Sequence, residues 1–177
     1  MKILFLIDSR SPFVYKWCNK FAENGNEIFL LNFYEIRGLN KKVKVISVKT
    51  NIWGHRIKYL FNYFKIKKII SEIKPDIIHA IQVTRQGFLA SLIDYRPYIV
   101  TAIGSDVFIE PKKSKIEKWI VQRCFKKADL VTSMAEHMTD YIKANFEIDE
   151  KKLITFPWGC DTKIFNLENR NIDENEP

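Results

Sequence analysis

The sequence predicts a doubly wound α/β domain on a mostly parallel sheet, and three observations carry that prediction. Short β-branched runs alternate with longer segments of helical period along the chain. Helix stops and strand starts fall at turn residues such as Gly25 and Lys74-Pro75. The length of 177 residues, 46% hydrophobic and 28% charged, fits one sizeable core and leaves too little chain for two. Strands alternating with helices make βαβ units, whose sheet is covered on both faces and whose ligands gather at the carboxyl ends of the strands.

The elements follow in order. Lys2–Ile7 reads as a buried strand, and Ser11–Asn24 as a helix on which Phe13, Trp17 and Phe21 recur every four residues. Glu27–Phe33 is the second strand, and Lys42–Val48, with valines among lysines, a third and more exposed one. Residues 53–73 form a long amphipathic segment. Then come strand Asp76–Ile81, helix Arg85–Ile93, strand Tyr98–Ala102 and helix Lys113–Lys127 with Ile116, Ile120 and Phe125 on its buried stripe. Ala128–Thr132 is the sixth strand. Ser133, with Glu136 three residues on, predicts a capping box opening a helix through Asn145. Leu153–Phe156 is the last strand, residues 1–165 form the domain, and the polar stretch 166–177 reads as a linker or frayed tail.

Charge narrows the function classes. Residues 41–75 hold ten basic and one acidic residue, which concentrates the net charge of +8 there, while residues 147–177 hold four basic and eight acidic. On the segment 53–74, Ile57, Leu60, Phe61, Phe64, Ile69, Ile70 and Ile73 recur at helical spacing among Arg56, Lys58, Lys65, Lys67 and Lys68. Two roles fit that pattern: a crossover helix with a solvated outer face, or a helix whose basic face meets an anionic membrane surface. Nucleic acid is disfavoured, because no zinc-finger, RRM or helix-turn-helix signature accompanies the charge. The run Ile3–Ile7 is too short for a membrane span or a secretory signal. Cys18, Cys124 and Cys160 suggest free thiols, which fits a cytoplasmic protein, with peripheral attachment to the inner membrane face as the added expectation.

Three loops at strand ends are candidates for chemistry. Asp8-Ser9-Arg10-Ser11-Pro12 joins a helix start to an arginine, which makes an anion site or a capped turn. In Ile103-Gly104-Ser105-Asp106 the glycine permits a tight turn, and Asp106 offers its carboxylate either to sugar hydroxyls or to the amides of the next turn. In Pro157-Trp158-Gly159-Cys160-Asp161, Pro, Gly and Asp fix a turn and Trp158 packs. His55, His79 and His137 show no paired spacing, so each reads as a core or surface residue and no metal site is expected.

Taken in order, these loops with Pro75-Asp76-Ile77-Ile78-His79-Ala80 and Ala128-Asp129-Leu130-Val131-Thr132 resemble the family 4 glycosyltransferases of the GT-B type, over essentially the whole chain to Phe165. The resemblance implies a Rossmann-like acceptor-side domain that faces a C-terminal donor domain, supplied in cis or as a separate chain. It implies sugar transfer with retention from a nucleotide sugar to a glycan or lipid-linked acceptor in cell-surface polysaccharide synthesis. The nucleotide sugar is then a substrate, and no resident cofactor is expected. The substrate-facing residues so implied are Ser9, Arg10, Ser11, Gly104, Ser105, Asp106, Trp158, Gly159 and Asp161, and no general base is named. Ile103, Phe13 and Ile81 stand where many relatives carry histidine, and Cys160 where an aliphatic is usual. Without its donor half the chain is expected to be inactive. The competing reading is a non-catalytic module held at the membrane or on nucleic acid by the basic stretch.

Overall fold

The computed structural model describes residues 1–8, 11, 13–32, 36, 38–48, 62–159 and 162. The chain runs β1 (Lys2–Leu6), α1 (Phe13–Glu23), β2 (Glu27–Asn32), β3 (Val43–Ser47), α2 (Tyr63–Ile73) and β4 (Ile77–Ile81). A π-helical turn, Val83–Gly87, leads directly into α3 (Phe88–Ile93). Next come β5 (Tyr98–Thr101), α4 (Ser105–Phe108), α5 (Glu110–Lys113), α6 (Lys115–Lys127), β6 (Leu130–Ser133), α7 (Glu136–Asn145) and β7 (Leu153–Thr155). All seven strands join one parallel sheet in the order β3-β2-β1-β4-β5-β6-β7. The predicted doubly wound, Rossmann-like class is observed.

Alternation along the central strands sends side chains to two apolar layers. Ile3, Phe5, Ile28 and Leu30 meet Val14, Cys18 and Ala22 of α1 on one face. Leu4, Leu6, Ile78, Val100 and Val131 meet α2, α3, α6 and α7 on the other. Among the described residues α1 alone brings a helix to the first cluster, and Ile154 and Phe156 near the β7 edge stay half exposed. Cys18 and Cys124 are buried free thiols, and burial pushes both up to about 12, so they pack as small apolar groups.

Two aspartates set the amino-terminal edge of the sheet. Asp76 accepts from the Lys2 amide at 2.7 Å and returns its own N–H to the Lys2 carbonyl at 2.9 Å. Asp129 repeats the exchange with Tyr98 at 2.9 and 2.8 Å. The Pro75-Asp76 and Ala128-Asp129 motifs therefore pin the starts of neighbouring parallel strands.

Several expectations are corrected. The capping box at Ser133 does not form: Ser133 ends β6, and α7 begins at Glu136 after Ala135, which makes no side-chain cap. The same pattern is used earlier, where the Ser114 hydroxyl accepts from the Glu117 amide at 3.2 Å at the start of α6. Ile116 is exposed, because α6 buries a stripe centred near Val121 and Cys124, from which Ile116 lies about 100° away at 3.6 residues per turn. On α2 the buried residues are Ile66 and Ile70, while Phe64 faces solvent. Residues 64 and 66 point to opposite sides of a helix, which explains the exchange. Residues 53–61, with Arg56 and Lys58, lie outside the described residues, as do 163–177.

Candidate functional site at the carboxyl edge of the sheet

All strands being parallel, the loops after β1, β4, β5, β6 and β7 emerge on one edge. The strand order reverses at β1, which lies between β2 and β4, and it is at such a reversal that open α/β sheets bind their ligands. Ser11 enters this edge in a turn that starts α1, its amide bonded to the Asp8 carbonyl at 2.9 Å. Ser9, Arg10 and Asp161 lie outside the described residues.

The loop after β4 is irregular for a reason the structure makes visible. Gln82 has φ 88°, a conformation that non-glycine residues rarely adopt, and its carbonyl accepts from Gly87 to close the π-helical turn. Gly87 permits this closeness, since a Cβ there would stand 2.9 Å from Val100 Cγ2. The Tyr98 hydroxyl completes the contact by donating to the Gly87 carbonyl at 2.9 Å. Thr84 Oγ1 and Gln86 Oε1 are buried inside the turn without a hydrogen-bond partner. The expected helix from Arg85 thus begins as this turn.

Asp106 holds the β4 and β5 loops together. It is fully buried, and its carboxylate accepts from Val83 N at 2.7 Å, Ile103 N at 3.0 Å and Gly104 N at 2.9 Å. Burial pushes this carboxyl up to about 6, against the pull of the three amides toward the charged form. No oxygen is left to face a sugar, so of the two roles the sequence offered, the side chain fills the structural one. Gly104, at φ 119°, turns the chain so that Ser105 is exposed at the edge.

The loop after β7 is fastened to α1. Lys16 Nζ donates to the Trp158 carbonyl and, at 2.7 Å, to that of Gly159. Trp158 sits edge-on to Phe13 at 4.1 Å and to Trp17 at 5.7 Å, and Trp17 meets His79 edge-on at 5.4 Å. The Trp17 and Trp158 indole N–H groups are buried with no acceptor. Below this wall, His79 Nε2 shares a 2.7 Å hydrogen bond with Thr101 Oγ1, which continues to Thr132 Oγ1 at 2.7 Å. Burial pushes His79 down to about 4, so the ring is neutral and belongs to the core rather than to proton transfer. His137 stacks on Phe108, and His55 lies outside the described residues.

Ser11, Gly104, Ser105, Trp158 and Gly159 thus gather at one edge, with Asp106 beneath them. The sequence reading missed Gln82, Thr84 and Arg85, which share that edge. A polar run directly after the fourth strand, at the point where the strand order turns, is the signal that could have found them. Among the described residues no group of three potential metal ligands occurs, and no helix is long and apolar enough to cross a membrane.

No curated protein matches the chain by sequence. Among solved structures, sucrose-phosphate synthase from Thermosynechococcus elongatus superposes with TM-score 0.71 at 11% identity, over 92% of this chain and 49% of that one. A glycosyltransferase from Rickettsia africae gives 0.62 at 15% identity, over 97% and 46%. The UDP-GlcNAc 2-epimerase of Neisseria meningitidis, solved with UDP-GlcNAc bound, gives 0.62 at 14%, over 88% and 45%. The chain thus spans less than half the length of each of these structures, and at such identities the likeness speaks for the fold. The sequence itself matches the description "Glycosyl transferase 4-like" over residues 2–135, which is most of its length. With its parallel sheet and its loops converging on one open edge, the chain belongs to the glycosyl transferase 4-like family.

Proposed function

We propose that this chain is the acceptor-side half of a retaining glycosyltransferase, which moves a sugar from a nucleotide-sugar donor to a glycan or lipid-linked acceptor in cell-surface polysaccharide synthesis. The observation that carries the reading is the open carboxyl edge of the sheet in a glycosyl transferase 4-like chain about half as long as its structural neighbours. In this reading Ser9, Arg10, Ser11, Gly104, Ser105, Trp158, Gly159 and Asp161 shape the acceptor wall, and Asp106 keeps two of its loops in place. A donor domain, in cis or as a second chain, holds the nucleotide sugar, as the N. meningitidis epimerase holds UDP-GlcNAc. The protein works in the cytoplasm at the inner membrane face, where Lys65, Lys67 and Lys68 of α2 add attraction to anionic lipid, and Arg56 and Lys58 extend the same charge.

The contribution of this half is positioning. Holding an acceptor hydroxyl in line with the anomeric carbon removes much of the entropic part of the barrier. No general base is assigned and no resident cofactor is proposed.

The test is sugar transfer from labelled nucleotide sugars to membrane and glycan extracts, by the 177-residue chain alone and with a separately supplied donor domain. Transfer is expected only with both. Turnover by the chain alone would overturn the half-enzyme reading.

A further inference from the structure

Helix α6 and the short α5 before it turn an apolar and basic surface outward. Ile109, Ile116 and Trp119 are 56%, 68% and 54% exposed. Around them Lys112, Lys113, Lys115 and Lys118 are all exposed. Residues 109–127 hold seven basic and two acidic residues, and one of those acids, Glu110, turns inward toward Arg85 at 4.0 Å. Trp119 also borders a groove of about 470 Å³ with Arg123 and Lys126, the Arg123 guanidinium lying 5.8 Å from its ring centre.

The fold says where this surface points. Helix α6 leads into a parallel strand, so its first turn stands at the carboxyl edge, beside the loops of the candidate site. Helix α2 begins at the same edge, where Phe64 is 81% exposed next to Lys65.

The composition selects the partner. Protein interfaces are depleted in lysine and keep charge out of their centres. Here lysines stand directly beside the apolar side chains. A bilayer surface accepts that mixture, because isoleucine and tryptophan enter the acyl boundary while lysine stems lift their charges to the phosphates. We propose that Ile109, Ile116 and Trp119, ringed by Lys112, Lys113, Lys115 and Lys118, dock the chain on an anionic lipid bilayer. The main membrane contact then lies on α5 and α6, and the lysines of α2 assist. The proposal holds whichever sugar and acceptor the loops serve, and its failure leaves the transferase reading intact.

The 177-residue chain is sedimented with phosphatidylcholine vesicles, with and without phosphatidylglycerol, at low and high salt. Binding is expected only with the anionic lipid and weakens with salt. Ile116→Ser with Trp119→Ser lowers partitioning by at least about tenfold. Replacing Lys112, Lys113, Lys115 and Lys118 by glutamine lowers it by about fivefold per lysine engaged. Brominated lipid quenches the tryptophan fluorescence of the unaltered chain, and Trp119→Phe removes the quenched component, a readout that does not need the serine variants to fold. Any of four results overturns the proposal: no dependence on anionic lipid, no quenching of Trp119, complete loss of binding on replacing Lys65, Lys67 and Lys68 alone, or retention on single-stranded DNA without binding to vesicles.

Discussion

The two edges of the sheet use the same chemical device to different ends. At the amino edge Asp76 and Asp129 each exchange a pair of hydrogen bonds with the first residue of a neighbouring strand, and both remain within reach of water. At the carboxyl edge Asp106 accepts three backbone amides from two loops and is shut away from solvent. The first arrangement keeps regular backbone regular. The second holds backbone that would otherwise relax, including Gln82 at φ 88° and Gly104 at φ 119°. In this sheet the buried carboxylate thus stands where the chain is least regular.

The largest expected effect follows from removing that carboxylate. Asp106→Ala leaves three amides without their acceptor and should cost about 3 kcal/mol at neutral pH, as read by urea denaturation. Asp76→Ala loses an exposed clamp and should cost about 1 kcal/mol. Equal losses at the two sites would erase the contrast between the edges.

Nearly as large is an effect on pH dependence. Asp106 is raised to about 6 in the fold, so beyond the amide bonds it accepts it adds a protonation-linked contribution that is fully present below about pH 4 and is lost as pH rises through 6. His79 is lowered to about 4 from 6.5, so its contribution is present above pH 6.5 and is lost as pH falls through 4. The two slopes oppose each other over the same window. His79→Gln should expose the Asp106 slope, and Asp106→Asn the His79 slope. Each variant should depart from the unaltered chain by up to about 3 kcal/mol across the window, at about 1.4 kcal/mol per unit. Parallel pH profiles for all three proteins would show that neither group is shifted as described.

Next comes Gly87→Ala, whose Cβ would meet Val100 Cγ2 at 2.9 Å. We expect a loss of about 2 kcal/mol by thermal or urea unfolding. A neutral result would mean that the π-helical turn can move away from β5 without cost. The smallest effect on stability is expected at Ser105→Ala, an exposed position at the same edge, where unfolding should shift by less than about 0.5 kcal/mol. If the edge receives the acceptor as proposed, the acceptor KM of the reconstituted transferase should nevertheless rise, which would separate the loop's exposed residue from its buried support.

Much of the fold was legible in the sequence because period and punctuation agree. Ile3 to Ile7 and Ile77 to Ile81 read as buried strands, and Gly25 ends its helix where the pattern places the stop. What stayed hidden depended on partners distant in sequence. Ser133 and Ser114 both begin a Ser-x-x-Glu pattern, yet only Ser114 lies free of a strand to cap a helix. Ile116 and Phe64 fit an apolar repeat locally, but the sheet lies on the other side of their helices. For Asp106, local chemistry left two roles open, and the bond to Val83 across 23 positions decides between them. That contact also explains why the irregular loop after β4 could not be read locally, since its shape is imposed from β5.

The Lys16 fastening has a mechanical consequence. Seated on helix α1, its ammonium grips the two carbonyls by which the chain leaves the aromatic wall, across 142 and 143 positions of sequence. The strand end and helix α1 are therefore tied together through the Trp158 and Gly159 backbone, and β7 does not end free. Held at both ends, the stretch from β7 to Gly159 has a short free span, which keeps the Trp158 ring against Phe13 and Trp17. One cation on a helix acts here as a clasp.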